Sequence, residues 1–373
     1  MTHPGPGMTS GADALHEDLP EIPTVDADPA TNGDSIEGSF PVAPSRGPTE
    51  VWHLEPRDLP LPHSASRELR ESISATPQPD SSIPPLLSAD TGELRAVVAA
   101  ADEMATKKAR ELRDAVGAIV TADTIAGVDV FQVTPASVRP DHADHLLVYV
   151  HGGAFVLNGG EAGVAEAIVI AHRCGIPAVS IDYRMAPDHP LPAPADDVYG
   201  VYRQIVSERP ANKVALGGSS GGANLSTVTV QRAVAEGIEV PGALYLGTPG
   251  NDMSIRGDTL FINRGIDRTI PRHEDYINAV RLHADGRELT DPLVSPLYGS
   301  FDGFPPTFLV SGTRDLLLSA TVLTHTKIRQ QGGIADLVVL EGVGHGDYGN
   351  PLNSAESRFT YSELGKFLRQ HMA

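Results

Sequence analysis

The sequence predicts an α/β protein with a mostly parallel central sheet and helices on both faces. Three observations predict it. From about residue 128, short continuous apolar runs alternate with helical stretches, the pattern of strands buried on both faces. Glycine-rich turns follow two of those runs, at 151–153 and 217–222. A helical block broken by prolines precedes the first clear strand.

The elements follow in order. Residues 1–55 are rich in Pro, Gly, Ser, Thr, Asp and Glu, without periodicity, and are expected to form a disordered tail. Residues 56–125 are expected to be helices. "SASRELRESISA" offers Ser64 or Ser66 as an N-cap, and "SADTGELRAVVAAADEMATKKARELRDAV" is amphipathic at helical spacing. Strands are expected at 128–135, 145–153, 176–183, 213–216, 242–248, 306–313 and 335–342. Helices fall at 161–173, 194–208, 220–235, 316–331 and 355–371 between them. The interval 250–300 lacks this rhythm and reads as an excursion from the sheet.

Composition narrows the partners. The 373-residue chain has 28 Lys plus Arg against 48 Asp plus Glu, a net charge of −20, which repels nucleic acid and anionic membranes. No apolar run reaches spanning length, and the start lacks a basic and apolar leader, so a soluble cytoplasmic protein is expected. The single cysteine, Cys174, lies in an apolar context and reads as a buried, inert thiol. No histidines stand at metal-ligand spacing, so neither metal nor cofactor is expected. His189 and the other histidines outside the motifs below read as surface residues.

The chemistry gathers at strand ends. "KVAL", then "GGSSGG", then "ANLSTVTVQRAVAE" reads as strand, tight turn and helix, the setting in which a serine becomes a nucleophile. G-x-S-x-G fits both Ser219 and Ser220, so the glycines alone do not choose between them. Leu216 is the last apolar residue of the strand and Gly217 follows at once, which favours Ser219. Upstream, "VYVHGGAF" ends a strand in a turn able to present backbone N–H groups to an oxyanion. Downstream, Asp315 in "GTRDLLLS" and His345 in "GVGHGD" each follow a strand, in the order acid then base.

Taken together, "HGGAF", "DYRMAPDHPLPAPADD", "GGSSGG", "DPLVSPLYG", "GTRDLLLS" and "GVGHGD" resemble the hormone-sensitive-lipase-like (bacterial family IV) esterases of the α/β-hydrolase superfamily. The resemblance covers about 145–350 strongly and the preceding helical block loosely. It implies an α/β-hydrolase fold over 126–373, with a helical cap built from 56–125 and an insertion at about 250–290. It implies a serine carboxylesterase acting on small, short-acyl esters, with Ser219 as nucleophile, His345 as base and Asp315 as orienting acid. The family's small residue and two glycines after the nucleophile also match Ser219. The oxyanion hole would be the N–H groups of Gly153, Ala154 and Ser220, with Gly152 shaping the turn and His151 bracing it. Ala154 replaces the family's usual third glycine. Asp291 would be structural, and Asp182 and Arg184 a structural pair.

The same machinery serves lactonases, amidases and deacetylases. The fold also occurs in non-catalytic small-ligand receptors that lack the histidine, which His345 argues against. Partners are thus a small ester, no nucleic acid and no membrane. A homodimer is compatible with the sequence, which sets no oligomeric state.

Overall fold

The computed structural model describes residues 58–76, 91–270 and 273–372. Its sheet has eight strands: β1 (Ile119–Ile125), β2 (Val128–Thr134), β3 (Leu146–Val150), β4 (Ala178–Ile181), β5 (Val214–Ser219), β6 (Ala243–Gly247), β7 (Thr307–Gly312) and β8 (Ala335–Leu340). Their order is β1-β2-β4-β3-β5-β6-β7-β8, with β1–β2 and β2–β4 antiparallel and every other pairing parallel. The central strands β3, β5, β6 and β7 are buried throughout, which explains their unbroken apolar runs.

Alternate residues of these strands feed two cores, as the two-residue strand period requires. Val148, Val150, Leu216, Leu246 and Leu309 pack on one face with α4 (Ala193–Glu208) and α5 (Gly221–Glu236). Leu147, Tyr149, Ala215, Tyr245 and Phe308 pack on the other with α3 (Ala165–Cys174) and α9 (Ala355–His371). Helix α8 (Leu318–Gln330) joins β7 to β8.

Among the described residues two helices precede the sheet, α1 (Arg67–Ala75) and α2 (Thr91–Val116). Ser66, not Ser64, caps α1: its Oγ accepts the Leu69 N–H at 3.2 Å. The Glu356 carboxylate in turn accepts the Ser66 N–H at 2.7 Å and its hydroxyl at 2.6 Å, joining α1 to the start of α9. The helical reading of 56–125 stops at Val116, because Ile119–Ile125 is a strand. As an edge strand it is mostly exposed, and its polar sequence "IVTADTI" carries no buried-strand pattern. The expected tail at 1–55 lies outside the described residues.

The excursion falls between β6 and β7 and carries α6 (Thr259–Ile262) and α7 (His273–Ala284). Cys174 is buried, as expected, and burial pushes its thiol up to about 12. His189 is exposed, but the surface reading of the other histidines is corrected. His142, His145 and His283 are buried, and burial holds all three imidazoles below their ordinary range. His283 packs as a flat apolar ring, stacked on Phe155 with centroids 3.6 Å apart, while His142 Nδ1 lies 3.0 Å from Cys174 O and His145 Nδ1 3.1 Å from Asp144 Oδ1.

Candidate active site

The turn after β5 treats the two serines differently. Strand β5 does not stop at Leu216; it runs on through Gly217 and Gly218 to Ser219, which pairs with Gly247 of β6. The next residue, Ser220, has φ 57° and ψ −120°, and α5 begins at Gly221. That backbone conformation is one L-residues rarely adopt, and it marks the strained residue of a strand-to-helix elbow. A Cβ on Gly218 or on Gly222 would collide with the Val150 carbonyl, and the two glycines also abut each other. Gly217 is blocked too, by Tyr245, but Gly218 and Gly222, two residues either side of Ser220, meet on the one carbonyl.

This geometry favours Ser220 over the expected Ser219. Ser219 is 7% exposed, and its Oγ lies 3.1 Å from the Tyr348 hydroxyl and 3.5 Å from that of Tyr245. Ser220 is only partly buried. Neither serine hydroxyl is hydrogen-bonded to His345, so the assignment rests on backbone and burial.

Asp315 and His345 do come together. His345 Nδ1 lies 3.0 Å from Asp315 Oδ1, with both side chains buried. The Leu317 N–H donates to Oδ1 at 2.8 Å, the Ser311 hydroxyl donates to Oδ2 at 2.5 Å, and Thr248 Oγ1 donates to Oδ2 as well. Burial pushes the Asp315 carboxyl up, but the His345 charge and these donors prevail and hold it below its usual range. Burial likewise opposes the imidazolium, but the Asp315 charge and hydrogen bond, then Asp267 and Asp347, leave His345 above its usual range. This partner set assigns the Nδ1 proton to the Asp315 side and turns Nε2 outward. The elbow reaches the pair through β6: Ser220 N–H donates to Gly247 O at 2.8 Å, and the next residue, Thr248, has its Oγ1 2.9 Å from His345 Nδ1.

The turn after β3 lies against the elbow. A Cβ on Gly152 would stand 2.8 Å from Ser219 O and 3.2 Å from Ser220 Cβ, so only glycine permits the approach. Gly153, Ala154 and Phe155 all have positive φ, which the alanine adopts without a third glycine. Val156 and Leu157 donate the turn's own hydrogen bonds to Gly153 O, at 3.1 and 2.9 Å, so Gly153 and Ala154 N–H stay outside them. His151 braces the turn as expected: Nδ1 is 2.8 Å from Gly152 O and the ring stacks on Tyr183 at 4.3 Å. The expected Ser220 N–H donor is corrected, since that group is committed to Gly247 O. Gly221, first residue of α5, carries the N–H at the helix start, where backbone donors have no partner within the helix.

Comparison with known proteins places this geometry. A family model described as the alpha/beta hydrolase fold matches residues 147–348. The chain belongs to the α/β-hydrolase fold family. A crystal structure of an esterase called E25 is 51% identical, with a TM-score of 0.85 over 87% of this chain and 100% of that one. A crystal structure of an esterase from the bacterial hormone-sensitive lipase family is 25% identical, with a TM-score of 0.65 over 76% of this chain and 100% of that one. An esterase of Acinetobacter venetianus is 29% identical over 189 residues, 50% of this chain. The chain spans 62% of that curated relative's length.

Several residues of this α/β-hydrolase site were not singled out in the sequence. Thr248, at φ 42°, follows the end of β6 with nothing in "YLGTPG" to mark it. On α2, the Asp102 carboxylate accepts the N–H groups of Asn158 at 2.6 Å and Gly159 at 3.3 Å, and Asn158 Nδ2 donates to Gly152 O at 3.1 Å. Asp182 and Arg184 do not pair. Arg184 chelates Asp197, at 2.7 and 2.9 Å, while Asp182 accepts the Gly160 N–H at 2.9 Å. Asp291 sits at the end of the insertion, where it accepts the Leu293 N–H at 2.9 Å.

Asp267, Asp315 and His345 bring potential metal-ligand atoms within 4.8 Å of one another. Each carboxylate oxygen of that cluster is already occupied by N–H or O–H donors, so these residues do not fit a cation site. Among the described residues no helix is long and apolar enough to cross a membrane.

Proposed function

We propose that this hydrolase is a serine carboxylesterase that cleaves small, short-acyl esters with Ser220 as nucleophile. The observation that carries the reading is the Ser220 backbone, the one strained position between β5 and α5, set opposite the His151–Ala154 turn. The esterases among its relatives point the same way.

The chemistry follows from the geometry. Ser220 Oγ attacks the ester carbonyl carbon while His345 Nε2 removes its proton. Asp315 fixes the imidazole tautomer and stabilises the imidazolium that results. The carbonyl oxygen becomes an oxyanion that accepts from the N–H groups of Gly153, Ala154 and Gly221. Collapse expels the alcohol, which takes the proton back from His345, and leaves an ester on Ser220. Water then attacks that acyl carbon, giving its proton to His345, and the carboxylic acid departs as Ser220 Oγ is reprotonated.

Short acyl groups are favoured because aromatic bulk crowds the space behind the oxyanion turn. Phe155 is pressed against Gly221, with ring carbons 3.1 Å from where a Cβ would be, and His283 backs Phe155. Helices α1 and α2 and the insertion with α6 and α7 would form the cap of the site. The test is hydrolysis of p-nitrophenyl esters from acetyl to palmitoyl, together with labelling by a serine-directed phosphonate. The reading expects phosphonate-sensitive turnover with kcat/KM higher for butyryl than for palmitoyl. Absence of both turnover and label would support a ligand-binding receptor instead.

A further inference from the structure

Asp267 belongs to the insertion, yet its carboxylate is built into the acid and base loops. Oδ2 accepts the backbone N–H of Leu316, next to Asp315, at 2.8 Å, and that of His345 itself at 3.2 Å. Oδ1 accepts the N–H groups of Thr269 at 2.9 Å and Ile270 at 3.1 Å. Four donors fill the acceptor capacity of two oxygens, so a proton on this carboxyl would have to face an N–H. Burial first, and then the Asp315 charge, leave the carboxyl above its ordinary range against the pull of the His345 charge, but the four N–H donors leave no acceptor for its proton, and we assign it as a carboxylate.

Two buried carboxylates this close repel each other, and the positive charge that His345 gains when it takes the serine's proton relieves that repulsion. The remaining charges facing His345 are accounted for. Asp347, on the base's own loop, is neutralised by Arg268 at 2.8 Å, and Arg268 also donates to Ser72 on α1 at 2.7 Å. From β6 comes the neutral Thr248 hydroxyl. From α7, Tyr276 lies near enough to Asp315 for its phenol to be pushed up, by burial first and then by Asp252 and Asp315. Asp267, held by backbone N–H groups, therefore favours the imidazolium more than the Arg268-paired Asp347 does.

We propose that Asp267 is a positioning residue for the hydrolysis: it clamps the Asp315 and His345 loops together through their backbones and adds a second negative charge that favours the imidazolium formed at His345. This rests on the reading of His345 as the base.

The test is kcat and KM of the full chain on p-nitrophenyl butyrate from about pH 5 to about pH 9, for the parent, Asp267→Asn, Asp267→Glu and His345→Ala. Removing the negative charge lowers the imidazole pKa. Asp267→Asn should therefore move the acid limb of kcat/KM down by about half a pH unit or more and lower kcat about tenfold, with KM within about twofold. Asp267→Glu, which keeps the charge, should leave the limb in place while lowering kcat. If the Asn variant does not fold, Asp267→Ser, which leaves room for a water among the four donors, carries the same readout. A folded Asn or Ser variant with an unmoved limb overturns the proposal. Full activity in His345→Ala would overturn the underlying assignment of the base instead, so the two failures are distinguishable.

Discussion

The Ser219 hydroxyl lies 3.1 Å from the Tyr348 hydroxyl, on the buried side of the turn that carries Ser220. Tyr348 and Tyr245 hydroxyls are 3.4 Å apart, and Glu166 on α3 accepts from Tyr245 and Tyr149 at 2.7 Å each and from Tyr361 at 3.3 Å. Ser219 thus anchors the elbow to a tyrosine network that includes the base's own loop. Ser219→Ala should cost about 1 kcal/mol of stability for a lost buried hydrogen bond and keep kcat within about tenfold. Ser220→Ala should lower kcat by about a millionfold. Thermal melts and butyryl-ester kinetics on both variants check the pair of outcomes.

The acid can be separated from its nearest rival in sequence. Asp315→Asn should fold but offer His345 an amide where the carboxylate stood, lowering kcat by about three to four orders of magnitude. Asp291→Asn should retain kcat and lose a fraction of a kcal/mol to about 1 kcal/mol of stability, since its amide oxygen still accepts the Leu293 N–H and only the partly exposed charge facing Arg287 at 3.7 Å is lost. Reversed results would move the acid to Asp291.

The pH dependence has a defined sign. His345 must be neutral to accept a proton, and its pKa lies above the ordinary 6.5, so kcat/KM should fall on acidification with a midpoint above 6.5. For stability the same raised pKa means that the contribution of His345 is full below 6.5 and is lost as pH rises through the folded value. Asp315, lowered from 3.8, contributes above that value and loses its contribution as pH falls through the folded one. Melting temperature against pH in the parent and in His345→Ala measures the first effect, which the variant should lack.

The reach of α2 to the oxyanion turn predicts a remote effect. Asp102→Ala frees the Asn158 and Gly159 N–H groups and loosens Asn158, which holds the Gly152 carbonyl. Loss of charge-assisted bonds worth about 1–3 kcal/mol should lower kcat by about tenfold with little change in KM. An unchanged kcat would detach α2 from the site.

The sequence carried the central sheet and the Asp315–His345 pair because both follow from local patterns. Buried parallel strands are apolar throughout, and each chemical residue sits just past a strand end. The edge strand β1 was not legible because exposure on both faces leaves no periodicity. The preference for Ser219 in the sequence rested on a strand ending at Leu216, whereas Gly217, Gly218 and Ser219 continue β5 without apolar side chains. The glycines could not correct this, because they flank both serines at the same spacing, and only the fold shows Gly218 and Gly222 meeting on the Val150 carbonyl. Asp267, Thr248 and the Arg184–Asp197 pair were hidden for another reason: their partners are brought together only by the fold.

The central claim is that Ser220 is the nucleophile. Both serines fall in one peptide, so fragmentation of the phosphonate-labelled peptide by tandem mass spectrometry reads the site directly. The account predicts the adduct on Ser220, with no label in Ser220→Ala and full labelling in Ser219→Ala. An adduct on Ser219, retained in Ser220→Ala, would contradict it.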